Sequence, residues 1–318
     1  YVDKTLMLKD ILDDSSSFVL FTRPRRFGKT LNMDMLRTFF EKTDEDTSRY
    51  FTDKKIWAQG EEYTRHQGKY PVIFLSFKDA KQNTWEEMYA ELQETIKDEF
   101  YRHYELMDSD KVKDKAYFQS ILNGKASKAE LGKSILRLSE MLRQHYGQKV
   151  VLLIDEYDTT IQSGHAYNFY DDMINFMRNM LSAGLKDNNN IAFGILTGIL
   201  RVAKESIFSG LNNIRVYSVL DRKYSSYFGF TNEEIEDMAR YYEKEDKLPE
   251  IKDWYDGYIF GETEIFNPWS VLNYFANDCL AMPYWVQTSE NFVVYDLLNC
   301  LNTEIFQKLN ELVSGKIV

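Results

Sequence analysis

The chain has 318 residues, 44% of them apolar and 15% aromatic, with a formal net charge of −11. That length exceeds most single cores, which run to about 100–200 residues, and implies one α/β core with a smaller second domain. The acidic balance argues against broad nucleic-acid binding, no apolar run reaches the roughly 18 residues that span a bilayer, and Cys279 and Cys300 form neither a disulfide framework nor a metal spacing.

A reducing, cytoplasmic setting fits these features, and no signal segment is visible after Tyr1. Residues 1–17 read as a lead that ends in the loop signal Asp13-Asp14-Ser15-Ser16-Ser17. Phe18 to Thr22 is a short apolar run, expected to be a buried strand. After Gly28, Leu31, Met35, Leu36, Phe39 and Phe40 recur at helical spacing. A second strand is expected at 72–77, helices at 84–106 and 128–146, and the clearest strand at 149–155, apolar throughout as a parallel strand covered on both faces should be. A helix at about 168–186 follows, then a turn at Asn188-Asn189-Asn190, a strand at 191–197 and a candidate fifth strand at 216–220. Strands alternating with helices predict a mainly parallel sheet flanked by helices. Beyond about residue 225 the pattern turns helical, starting from the capping-box sequence Thr231-Asn232-Glu233-Glu234. The expected division is a core over 1–224 and a helical domain, lid-like or winged-helix-like, over 225–318.

The segment Arg23-Pro24-Arg25-Arg26-Phe27-Gly28-Lys29-Thr30 lies between the first strand and the first strongly periodic helix. Such a strand–loop–helix is the setting of a phosphate-binding P-loop. There the backbone N–H groups wrap phosphates, the Lys neutralises their charge, and the Ser or Thr hydroxyl meets Mg²⁺. The full pattern asks for Gly five residues before Gly28, and Arg23 stands there. Pro24 would stiffen a differently shaped turn, and Arg25 or Arg26 would supply charge. Gly132-Lys133-Ser134 has the same short signature but follows no strand, so it is read as structural.

Asp155-Glu156 closes the most apolar strand. Carboxylates there cost desolvation unless a cation is near. In P-loop nucleotidases such an Asp holds Mg²⁺ and the following group orients the attacking water. The carboxyl ends of parallel strands converge on one crevice, so both motifs fall on one edge. Asp158 is expected to be a turn residue or a helix cap. The strand at 191–197 ends in Thr197, with Arg201 and Lys204 beyond it. Thr197 is a candidate contact for water or γ-phosphate, and Arg201 or Lys204 for transition-state charge.

Together with Tyr1-Val2-Asp3-Lys4-Thr5, the run from Thr197-Gly198 to Asn212-Asn213, and Asn267-Pro268-Trp269-Ser270, these segments resemble the bacterial AAA-ATPase-like proteins, predicted ATPases similar to archaeal STAND-type ATPases. The resemblance covers nearly the whole chain. It implies that an Arg-Pro-Arg-Arg-Phe lead is the family's normal form. It implies Arg25, Arg26, Phe27, Gly28, Lys29 and Thr30 around the phosphates of ATP, Thr30 and Asp155 at Mg²⁺, and Glu156, Lys29, Thr197 and Arg201 in catalysis. Tyr1 to Thr5 would lie near the base. Family members often carry a C-terminal restriction-type nuclease-like domain, for which this sequence has no room. The expected function is a Mg-dependent ATP-binding and ATP-hydrolysing switch, acting on a protein partner or fused domain, without membrane. A non-catalytic nucleotide- or anion-binding module and a nucleic-acid-associated scaffold are the alternative readings.

Overall fold

The computed structural model describes residues 2–199 and 214–285. Its centre is a five-stranded parallel sheet of β1 (Phe18–Thr22), β2 (Val72–Ser76), β3 (Val150–Asp155), β4 (Ile191–Gly198) and β5 (Ile214–Tyr217), in the order β2-β3-β4-β1-β5. Every residue of β1 and β3 is buried, which is why both read as unbroken apolar runs rather than alternating ones. Side chains still alternate between the two faces. Phe18, Leu20, Leu152 and Ile154 enter one core, and Val19, Phe21, Val151 and Leu153 the other.

The first core is covered by α4 (Trp85–Arg102), α5 (Lys115–Leu122), α7 (Ser134–Tyr146) and α9 (Tyr170–Leu185). The second is covered by α1 (Leu6–Leu12) and α2 (Lys29–Phe40), with Tyr217, Tyr224, Phe228 and Phe260 closing it. Short helices α3 (Glu61–Thr64), α6 (Lys128–Leu131) and α8 (Thr159–Ala166) complete this part. The helix expected over 128–146 is two helices, broken at Gly132-Lys133, and Gly132-Lys133-Ser134 lies at that break, on no strand. The lead before β1 contains α1, whose Met7, Leu8 and Ile11 are buried; its seven residues, about two turns, are too short to stand out as a period.

A third apolar cluster gathers Ile235, Ile251, Tyr255, Phe266, Val271 and Tyr274. It is built by α10 (Asn232–Tyr241), α11 (Leu248–Tyr255) and α12 (Pro268–Ala276). Thr231 and Glu234 form the expected capping box, each side chain accepting from the other's backbone N–H. Between α11 and α12 runs an antiparallel hairpin, β6 (Tyr258–Phe260) and β7 (Thr263–Ile265). A helical reading of this region misses the hairpin because its strands are three residues long and its Gly257 and Gly261 read only as breaks. Among the described residues no helix is long and apolar enough to cross a membrane.

The sheet topology places the site. From β1 the chain runs to the far edge at β2, returns through β3 and β4, and then crosses to β5 on the other side of β1. The helix after β1 covers one face and those after β2 and β3 cover the other. A crevice therefore opens beyond the carboxyl ends of the strands, beside β1.

Candidate functional site

Four strands end on this crevice in register. Ser76 lies opposite Asp155, and Thr22 opposite Gly198. The ladders run slightly further through Arg23 N–H to Gly198 O at 3.0 Å and Tyr157 N–H to Thr197 O at 3.0 Å. The exits of β1, β3 and β4 are thereby fixed to one another before any side chain is considered.

The loop after β1 turns sharply. Gly28 sits at φ 80° as the residue that starts α2, with open space where a Cβ would project. Arg26 also has positive φ, at 69°, an uncommon state for a residue with a side chain. Gly28 has no side chain with which to cap α2, whose first N–H groups have no partner within the helix and carry its positive dipole end. This cradle suits a phosphate.

Lys29 is 3% exposed. Its ammonium donates to the carbonyls of Arg23 (3.2 Å) and Pro24 (3.1 Å), and lies 3.5 Å from Glu156 Oε1. Burial pulls Lys29 below the ordinary lysine value, opposed first by Glu156 and then by Asp158 and Asp155. Thr30 Oγ1 donates to Asp155 Oδ2 at 2.7 Å, and Ser76 Oγ reaches the same oxygen at 3.4 Å. Asp155, 0% exposed, receives Thr197 Oγ1 on its other oxygen at 2.6 Å. Thr197 Oγ1 also accepts the Glu156 N–H at 3.1 Å, so one hydroxyl orients both acidic residues. Glu156 stands at φ 51°, and Thr159 Oγ1 donates to its carboxylate at 3.2 Å. Lys29, Thr30, Asp155, Glu156 and Thr197, far apart in sequence, thus form one connected cluster.

Asp158 does not use its side chain to cap α8. Its Oδ2 accepts Ile199 N–H and Gln162 Nε2, each at 3.0 Å, and so ties the exit of β4 to α8. Gly198 is required there, because a Cβ would fall 2.6 Å from Asp158 Oδ1.

The arginines go elsewhere. Arg25 donates to Gln162 at 3.1 Å. The Arg26 guanidinium lies 4.3 Å from the centre of the Trp269 ring. The Phe27 side chain is buried against Tyr258 and Phe260, with centroids 4.9 and 5.2 Å apart. Arg23 is wholly buried, and burial lowers its guanidinium to about 10, opposed by the charge of Asp221. Leu31, expected on the buried face of α2, is instead 65% exposed beside Thr30. Arg201, Lys204 and Tyr1 lie outside the described residues. Ser76, Thr159 and Gln162 are site residues that pattern reading missed. Ser76 alone carried a signal, as the polar end of an apolar strand, but that signal means something only once β2 is known to lie beside β3.

The donor set fits Mg²⁺, which takes one or two carboxylates and completes its shell with water and phosphate oxygens. A hydroxyl and a carboxylate oxygen 2.7 Å apart at the phosphate cradle offer that combination. Among the described residues no group of three or more His, Cys, Asp or Glu side chains could hold a metal without such help.

A protein of Azotobacter chroococcum mcd 1, described as an uncharacterized protein in the vnfD 5' region, is 26% identical to this chain over 307 residues. The match covers 94% of this chain and 52% of that protein, so the chain spans about half the length of its relative. No solved structure matches. A family model described as "Predicted AAA-ATPase" matches residues 1–208, the span that contains the exits of β1 to β4, the glycine-lysine-threonine loop and the acidic strand end. The chain belongs to the AAA-ATPase-like family.

Proposed function

We propose that this chain binds ATP with Mg²⁺ at Gly28–Thr30 and hydrolyses it, and that the reaction moves the 225–318 part against the 1–224 core. The observation that carries the reading is the convergence of a helix N-terminus, a buried lysine and the Thr30–Asp155 pair at one sheet edge.

The α2 N–H groups and Lys29 bind the phosphates. Lys29 exchanges its two loop carbonyls for phosphate oxygens, which releases Glu156 from its contact with the ammonium. Glu156, held by Thr159, then accepts the proton of the attacking water as the bond from γ-phosphorus to the bridging oxygen breaks, giving ADP and phosphate. Thr197 keeps Asp155 and Glu156 oriented; its single proton is committed to Asp155. Mg²⁺, held by Thr30 and Asp155, supplies neutralisation of charge on the phosphates.

One observation favours a second reading, binding without hydrolysis. Glu156, the candidate base, is paired with the Lys29 ammonium at 3.5 Å, which makes it a poor proton acceptor until that contact is released. For either reading a protein partner or fused domain receives the movement.

The test is Mg-ATP binding and turnover by wild type, Lys29→Ala and Glu156→Gln. Lys29→Ala is expected to lose nucleotide affinity, and Glu156→Gln to bind but turn over about 100-fold or more slowly. Unchanged affinity in Lys29→Ala removes the phosphate assignment. Wild-type binding with no turnover, across several divalent ions, favours the second reading.

A further inference from the structure

Arg23 occupies the place where the usual phosphate loop has its first glycine, yet its side chain turns away from the cradle. It is 0% exposed. Nη1 donates to the carbonyls of Thr22 (2.9 Å) and Tyr217 (2.8 Å), and Nη2 reaches Tyr224 O at 3.4 Å. The guanidinium carbon lies over the rings of Phe228 and Phe260, 5.0 and 5.4 Å from their centres. Nε is buried with no hydrogen-bond partner among the described residues.

A cation bonded only to carbonyls is an expensive way to fill space, and an apolar side chain would pack there at lower cost. What arginine adds is a planar fork that joins separate backbone segments at once. The segments are the exits of β1 and β5 and the strap at 217–228, with the β6–β7 hairpin stacked on top. The same residue's carbonyl accepts the Lys29 ammonium. Arg23 therefore holds the phosphate-binding lysine with its backbone and the strap with its side chain.

Two neighbours point the same way. Phe27 is buried against Tyr258 and Phe260, and its carbonyl accepts Gly229 N–H at 3.1 Å. Gly229, at φ 89°, has Ile265 2.3 Å from where a Cβ would sit, so that join is tight. Arg26 lies over Trp269, in the first turn of α12. Arg23, Arg26 and Phe27 all lead from the loop into 217–269.

We infer that Arg23 is a positioning residue that couples the state of Lys29 to the 217–269 segment, so that filling the phosphate cradle is transmitted to the hairpin and α12. The glycine's freedom has been exchanged for an anchor. This deepens the ATP reading and rests on it for the identity of the anion, but the mechanical link exists without nucleotide and is tested without it.

The experiment is backbone hydrogen exchange on the full chain, wild type against Arg23→Lys, Arg23→Gly and Trp269→Ala, with and without Mg-ATP, together with kcat and KM. Trp269 is 45% exposed, so Trp269→Ala keeps its fold even where Arg23→Gly does not. Without nucleotide, Trp269→Ala is expected to speed exchange of amides 25–28 by roughly tenfold, inside the ordinary range of coupling between sites. With Mg-ATP, wild type is expected to gain protection at both 25–30 and 258–266. Arg23→Lys is expected to keep protection at 25–30, lose it at 258–266, and drop in kcat more than it rises in KM. Protection at 258–266 equal to wild type in Arg23→Lys overturns the inference. If wild type binds no Mg-ATP, the ATP reading fails and the nucleotide-free arm decides alone: exchange at 258–266 in Arg23→Lys equal to wild type then overturns the coupling itself.

Discussion

Replacing Thr197 by Val tests whether one hydroxyl holds the acidic end of the site together. The hydroxyl donates to Asp155 Oδ1 at 2.6 Å and accepts Glu156 N–H at 3.1 Å. A hydrogen bond to a charged group contributes about 1.5–3 kcal/mol, and a buried N–H left unpaired costs about 1–3 kcal/mol. Asp155 is fully buried, so water does not substitute freely, although Thr30 still bonds its other oxygen. The expected loss of stability is about 2–4 kcal/mol after partial relaxation. Thr197→Ser is the control: it keeps the hydroxyl and removes one methyl, worth about 1 kcal/mol. The assay is urea unfolding, comparing midpoints at an unchanged denaturant slope. The reasoning fails if Val unfolds at or above the Ser midpoint, since Val keeps the volume of Thr and lacks only the hydroxyl.

Beneath β2, on the opposite edge of the sheet, the His103 ring nitrogens face only acceptors: Val72 O at 3.0 Å, Glu99 Oε1 at 3.4 Å and Glu105 Oε1 at 3.4 Å. Burial alone would lower its pKa, but the hydrogen bonds to Glu105 and Glu99 prevail and raise it. A raised folded-state value means the contribution is complete below the unfolded pKa of about 6.5 and is lost as pH climbs through the folded value. Wild type should therefore lose stability relative to His103→Gln as pH rises above about 6.5 in urea titrations, and parallel curves would contradict the imidazolium assignment. Gly198→Ala should cost about 1–3 kcal/mol by overpacking against Asp158 and Tyr157 and should lower nucleotide affinity; a thermal midpoint equal to wild type would show that β4 can shift. Thr84→Ala should remove about 1 kcal/mol, because the Thr84 side chain caps α4 by accepting Glu87 N–H; calorimetry with Thr84→Ser as the conservative control checks it.

Composition and pattern determined much of this protein. Short apolar runs at Phe18–Thr22 and Val150–Asp155 fit strands buried on both faces, and with helices between them a helix-flanked parallel sheet followed from the chain order. Glycine before Lys29-Thr30, after one strand, and two acids closing another placed both motifs on one edge, because parallel strands share a direction. Contacts that skip along the sequence belonged to the tertiary structure. That β4 lies between β1 and β3 makes Thr197 the residue that bonds both acids, and strand order is not written in any local period. The direction of Arg23, Arg25 and Arg26 was equally hidden. Arginine at a phosphate loop reads as charge for phosphate, but burial among the carbonyls of Tyr217 and Tyr224, beside Gln162 and over Trp269 was decided by where the later segments pack. Local sequence sets what a residue can bond; only the fold sets which partner comes within reach.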